Sequence, residues 1–265
     1  MDTTSALPSL FLSHGSPMLA IEDSATGRFL DRLGARLPRP RAIVVASAHF
    51  IHAQPTVTAT LSPDTIHDFG GFPPALYDIH YPAKGAPALA TDVAGRLAAA
   101  GFEARLDDRH GLDHGVWVPL RRMYPAADLP VVALSVNPAR DADWHYRLGR
   151  ALAPLRAQGV LIVGSGGFSH NLGTLDWRHG DAPAFPWVEA FTQPLRERLL
   201  AGDIEAALDW QSLPEAHRNH PTPEHLYPLY VALGAGGDGA HGRLLHRDME
   251  MGGLALDAFA FDNRA

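Results

Sequence analysis

Cysteine is absent from the chain. Disulfides, iron–sulfur clusters and zinc-ribbon sites are thereby excluded. Basic residues are in the minority, with Lys+Arg 22 against Asp+Glu 29 and a formal charge of −7. A phosphate-backbone partner needs a basic face, so no nucleic-acid partner is expected. No apolar run approaches the roughly 20 residues of a membrane-spanning helix, so no membrane partner is expected either. The opening "MDTTSALPSLFLSHGS" lacks the basic segment and long apolar stretch of a secretory signal, and a cytoplasmic setting is the expectation. Walker A, H-E-x-x-H and G-x-S-x-G are missing too, and with them the usual marks of P-loop NTPases, zincins and serine hydrolases. One glycine-rich match, "GAGGDG" at 234–239, follows a helical stretch and precedes a strand-like one. That order is the reverse of a dinucleotide site, and the segment reads as a turn.

What is present is apolar surface and histidine. Hydrophobic residues make up 46% and charged residues 19%, enough for a sizeable core. No repeat, low-complexity tract or linker divides the chain, so residues 1–265 read as a single domain. Short apolar runs bounded by breakers, at 9–13, 42–47, 131–136 and 160–165, have the form of buried parallel strands. Helical stretches alternate with them at 24–37, 86–100 and 141–158, the last stopped by Gly159. Segments 242–251 and 253–261 read as closing strands, and 52–82 as a long irregular excursion. The fold class is therefore α/β, with a mostly parallel mixed sheet and helices on both faces.

There are 15 histidines, and several sit beside glycine or proline. His14 follows the first strand by one residue, His49 the second by two, and His170 the run 160–165 by five. Ligands of open α/β sheets bind beyond the carboxyl ends of the strands, which is where these imidazoles fall. Surplus histidine without cysteine suits an N/O-ligated metal or acid–base chemistry. In "NHPTPEHLYPLYVALGA" (219–235), Thr222 is a candidate N-cap, placing Glu224 and His225 in a first helical turn. Adjacent helical residues point about 100° apart, so they are alternative third ligands. Pro228 is expected to kink that helix. In "RHGLDHGVWVPLRRMYP" (109–125), Asp113 beside His114 has the form of an oriented acid–base pair or of a loop turn. "TIHDFGGFPPALYDIHYP" (65–82) carries His67, Asp68, Phe69, Phe72, Tyr77 and Tyr81, and has the form of an aromatic loop suited to a flat apolar ligand or, equally, of a packed surface loop. His67, Tyr81 and Asp113 are the candidate pocket residues of these two stretches.

As a set, "LFLSHGSPM", "RAIVVASAHF", "TIHDFGGFPPALYDIHYPA", "GLDHGVWVPLRRMYP", "SGGFSHNL" and "NHPTPEHLYPLYVALGA" resemble the class III extradiol ring-cleavage dioxygenases. They are most similar to the 4,5-DOPA extradiol branch and run in order from about residue 8 to 235. The resemblance implies one mononuclear non-haem metal site. It makes His14, His49 and His225 the metal ligands, His170 a catalytic base or further ligand, and His114 an acid–base and substrate-binding residue. Related enzymes of the class use a carboxylate as third ligand, so Glu224 stays beside His225 as a candidate. The implied reaction is extradiol opening of a catechol, DOPA-like in this branch, with O2. Its implied metal is Fe2+, and an all-histidine site would bind Zn2+ as readily. A redox-inert zinc hydrolase or lyase is the alternative, since zinc-bound water on three histidines is a nucleophile.

Overall fold

The structure, a computed structural model, describes residues 6–263. Residues 1–5 and 264–265, which the single-domain reading and the signal-sequence reading include in part, lie outside the described residues. The strands are β1 (Ser9–Ser13), β2 (Ala42–Ile51), β3 (Thr56–Thr58), β4 (Arg105–Asp107), β5 (Val131–Val136), β6 (Val160–Gly166), β7 (His241–His246), β8 (Met249–Glu250), β9 (Leu254–Ala255) and β10 (Ala258–Asp262). The helices are α1 (Ala25–Arg36), α2 (Pro74–Tyr77), α3 (Pro87–Ala99), α4 (His114–Met123), α5 (Ala142–Leu152), α6 (Pro186–Ala201), α7 (Ile204–Leu208), α8 (Ala216–Asn219) and α9 (Tyr227–Ala235).

Eight strands form one sheet in the order β4-β3-β5-β2-β6-β1-β10-β7, and β8 and β9 form a separate antiparallel ribbon. The centre, β5-β2-β6-β1, is parallel throughout. Both flanks carry antiparallel pairs, β3 on β5 and β10 on β1 and β7. Side chains of the central strands alternate between faces. Ile43, Val45, Leu161 and Val163 pack with Leu30 of α1 and Val116 and Leu120 of α4. Val44, Ala46, Val160 and Ile162 pack instead with Val93 of α3, Leu148 of α5 and Val231 of α9. Every one of these side chains is buried, and the result is a single α/β domain with helices on both faces.

Local signals set several boundaries. Ser24 caps α1 by accepting from the Gly27 N–H, and Asp141 caps α5 by accepting from the Trp144 N–H. The helical stretch read over 141–158 is α-helical only to Leu152, tightens into 3-10 turns to Gln158, and stops at Gly159 with φ +76°.

Other expectations need correction. The excursion 52–82 contains β3 and the short α2. Thr222 does not cap a helix, because α9 begins only at Tyr227. Pro228 therefore lies in the first turn of α9, where a missing N–H costs nothing and no kink follows. The segment around Asp113 and His114 is the start of a helix, not a loop. The first of the two closing strands ends at His246, and the β8–β9 ribbon interrupts the path to β10.

Close backbone approach seats α9. A Cβ on Gly164 would lie 1.9 Å from the Pro228 carbonyl oxygen, and one on Gly166 would lie 2.0 Å from that of His225. Gly149 of α5 and Gly234 of α9 are packed as tightly against each other's helix backbone. His145, fully buried on α5, ties this layer to the sheet. Its Nδ1–H donates to the Asp141 carbonyl (2.7 Å), its Nε2 accepts from the Asn137 N–H (3.2 Å), and its ring stacks on Tyr227.

Two outcomes are expected. Gly164→Ala should cost about 1–3 kcal/mol of stability by overpacking, and an unchanged thermal midpoint would refute the tight seat of α9. Burial also lowers the His145 imidazole from 6.5 to about 4. The unfolded chain then takes up this proton first, so stability present above pH 6.5 is lost as pH falls toward 4. The loss is about 3 kcal/mol at full extent, and chemical denaturation at pH 7 and 4.5 should show a smaller gap for His145→Gln.

Candidate metal centre

Four strand or helix ends meet at the carboxyl edge of the parallel core. The His14 N–H donates to the Gly166 carbonyl (2.9 Å), extending the β1–β6 ladder one residue past the strand. Gly15 then turns the chain away at φ +59°. His49 does not follow its strand, as the sequence suggested, but lies within it. The β2–β5 register breaks between Ser47 and Ile51, and His49 sits in that irregularity, a device that re-aims a side chain. His225 occupies the turn before α9, its carbonyl accepting from the Gly167 N–H (2.8 Å). His114 opens α4, and its N–H donates to Asp68 Oδ1 (2.9 Å), so a carboxylate from the 65–82 loop occupies the positive end of that helix.

Three imidazoles converge on one point. His14 Nε2 and His49 Nε2 are 3.1 Å apart, and His225 Nε2 is 3.3 Å from His49 Nε2. The opposite nitrogens face acceptors. His14 Nδ1 is 3.1 Å from Ser165 Oγ, whose own proton goes to the Gly115 carbonyl (2.5 Å). His49 Nδ1 is 3.3 Å from Asp68 Oδ2, and His225 Nδ1 is 3.2 Å from Glu224 Oε1. Each partner places the proton on Nδ1 and leaves the Nε2 lone pair facing the centre. Nitrogen ligands about 2.1 Å from one metal ion stand about 3.0–3.4 Å apart between octahedral and tetrahedral angles, so the observed spacings fit a single ion. Burial, reinforced by the neighbouring imidazoles, lowers His14 and His225 well below the ordinary range. Burial and His114 lower His49 to about 4, against the opposing pull of Asp113, Asp68 and Glu224. Neutral imidazole is the ligating form, and these three could hold one divalent metal.

His114 and His170 flank the centre. His114 Nδ1 is 3.0 Å from Asp68 Oδ2, and its ring lies 3.9 Å, centroid to centroid, from that of His49. Burial would raise the Asp68 carboxyl, but the side chain and N–H of His114, with His49, hold it down to about 2. A carboxylate shared between two imidazoles couples their orientation. His170 stacks on His225 with centroids 3.5 Å apart and planes 7° apart, and burial lowers it to about 4. Its ring is thus parallel to a candidate ligand and faces the cavity.

That cavity measures about 360 Å³, within the range of small-molecule sites. The five histidines form its polar end, and Phe69, Phe72, Trp177, Leu254 and Leu256 supply apolar walls. None of His67, Tyr81 and Asp113 lines it. His67 closes its own loop, Nε2 lying 3.1 Å from the Ile79 carbonyl. Tyr81 is 1% exposed and turns its hydroxyl to the carbonyls of Tyr124 (3.0 Å) and Leu120 (3.3 Å). Asp113, equally buried, accepts from Ser47 Oγ (2.6 Å) beneath the β2 irregularity, and Ser47 Oγ in turn accepts from the His49 N–H (3.2 Å). In place of His67, its neighbour Asp68 faces the centre, because its two oxygens reach His49 and His114. Sequence reading also passed over Ser165, whose only signal was a polar residue closing an apolar strand. Glu224 is at the centre as well, as partner of His225 Nδ1.

Comparison with known proteins agrees with this chemistry. Residues 8–255 match the family model described as the catalytic LigB subunit of aromatic ring-opening dioxygenase. The chain is 43% identical to 4,5-DOPA dioxygenase extradiol of Escherichia coli (strain K12), with 96% of this chain and 94% of that protein covered. It is likewise 43% identical to the protein of that name from Beta vulgaris, over 95% of each. An uncharacterized protein from Escherichia coli K12 has a similar solved structure, with TM-score 0.82, 37% identity, and coverage of 96% of this chain and 99% of that one. On a family match spanning nearly the whole chain, and relatives this similar over most of their length, the chain belongs to the family of catalytic LigB subunits of aromatic ring-opening dioxygenases.

Proposed function

We propose that this extradiol ring-opening dioxygenase acts on a catechol, DOPA-like in its ring substitution, at one ferrous ion held by His14, His49 and His225. The observation that carries the reading is the convergence of three Nε2 atoms, each backed by an acceptor on Nδ1. Ring opening adds both atoms of O2 to the diol and yields a semialdehyde acid. When bound, the metal supplies Lewis acidity toward the diol and an electron path to O2. Zinc supplies the first and not the second.

The protein's own residues do the rest. The apolar walls exclude water and hold a flat ring against the histidine end, which supplies proximity and orientation. Burial keeps His170 unprotonated at neutral pH, so it can accept a phenolic proton arriving in the cavity. Glu224, close to both His170 and His225, offers the resulting imidazolium a counter-charge. His114, its Nδ1 side held by Asp68, is placed to return a proton to the departing oxygen. Asp68 orients His49 and His114 together, so ligand and acid stay in register. The two relatives at 43% identity are named dioxygenases, and neither favours the hydrolase or lyase alternative.

Three outcomes are expected. Protein stripped of metal and reconstituted anaerobically with Fe2+ should consume O2 in step with yellow semialdehyde on addition of L-DOPA or a simple catechol, whereas Zn2+ should give none. No uptake across a catechol panel, with one metal tightly bound, would favour the zinc hydrolase. His14→Ala and His49→Ala should each lose the bound metal by elemental analysis. His170→Ala should keep its metal while kcat falls by about 10²-fold or more, and retained turnover would remove His170 as the base.

A further inference from the structure

We propose that the cavity selects catechols whose side chain carries a positive charge over those whose side chain carries a carboxylate, with Glu250 setting the preference. This rests on the reading of the cavity as the catechol site. Among the described residues, no arginine or lysine lines it. The arginines behind the Pro17 turn are committed elsewhere, Arg121 to the Ala20 carbonyl (2.5 Å) and Arg122 to that of Leu19 (2.9 Å). The charged groups that do adjoin the cavity are acids. Asp68 is in the wall, Glu224 lies against His225, and Glu250 sits on the ribbon that lends Met251 and Leu254 to the lining.

Glu250 is the informative one. Its Oε2 would lie 3.9 Å from a Cβ on Gly15, a lining residue, so it stands directly behind the wall at Gly15 without itself lining the cavity. Its carboxyl has no hydrogen-bond or ion-pair partner among the described residues. Burial, with Asp248 and Glu22 nearby, pushes it up to about 7. A half-buried acid with only acidic neighbours is costly to ionise, and an ammonium group would remove that cost. The charge count points the same way. A divalent ion on three neutral imidazoles is already balanced by Asp68 and Glu224, and an ionised catechol adds further negative charge. A carboxylate on the side chain then finds no counter-charge, whereas an ammonium finds Glu250.

Three catechols of matched length test this: dopamine, 4-ethylcatechol and 3-(3,4-dihydroxyphenyl)propanoate. Specificity constants would be measured on the Fe2+-loaded protein, and dissociation constants on the Zn2+-loaded protein without O2. Dopamine should have a specificity constant about tenfold or more above that of the propanoate and a dissociation constant about tenfold or more below it, with 4-ethylcatechol between them. Glu250→Gln should shrink that ratio by about threefold or more and leave the 4-ethylcatechol values unmoved. Equal values for dopamine and propanoate, or a ratio indifferent to Glu250→Gln, would overturn the proposal. Absence of turnover for all three, with the binding order intact, would support the charge preference and sink the ring-opening reading alone.

Discussion

Three imidazole lone pairs directed at one point, with Nε2 atoms 3.1 and 3.3 Å apart, repel one another, and much of this fold is organised to hold them there. Each ring is fixed at its far nitrogen by an acceptor from a different element: Ser165 at the end of β6, Asp68 from the 65–82 loop, Glu224 from the turn before α9. Burial removes the alternative of protonation, since it lowers His49 to about 4 and holds His14 and His225 well below the ordinary range. A chain that keeps three neutral imidazoles in this arrangement offers a candidate cation site whose donor geometry the protein sets by itself.

That preorganisation reaches back into the packing of the helical layers. His225 is delivered to the centre because α9 lies almost on the backbone of β6, at the two positions, Gly164 and Gly166, where no side chain intervenes. The same seat puts the His225 carbonyl on the Gly167 N–H, so the backbone of this candidate ligand is part of the sheet edge. On the opposite face, α4 is tied to the site through Asp68, which receives the His114 N–H and also meets His49. Core and site therefore share groups, and a change in helix seating is felt at a candidate ligand.

The cavity divides the labour by position. Aromatic and aliphatic side chains from the 65–82 loop and the β8–β9 ribbon supply shape, and the histidine end supplies proton acceptors and donors. Acids outnumber every other charged group around it, which would suit a cation at the histidine end. His170, parallel to His225 and buried, needs no separate scaffold, because stacking on a candidate ligand already defines its plane.

Local signals were sufficient for much of this. Runs such as 131–136 and 160–165 read as buried strands because they are short, rich in valine, leucine and isoleucine, and bounded by breakers. The rule that ligands gather at the carboxyl ends of parallel strands then brought His14, His49 and His170 to one edge from sequence alone. The three-residue strands β3 and β4 were illegible, since their pairing depends on distant partners. So was the orientation of neighbours. His67 against Asp68, and Glu224 against His225, are one residue apart, and which of each pair faces the centre depends on backbone torsions in irregular segments. Those torsions are set by contacts far away in the chain, Asp68 with the start of α4 and His225 with Gly166 and Gly167. Sequence determined which residue types reach the sheet edge. Tertiary structure alone decided which of their atoms point at one another, because only the packed chain brings those contacts into being.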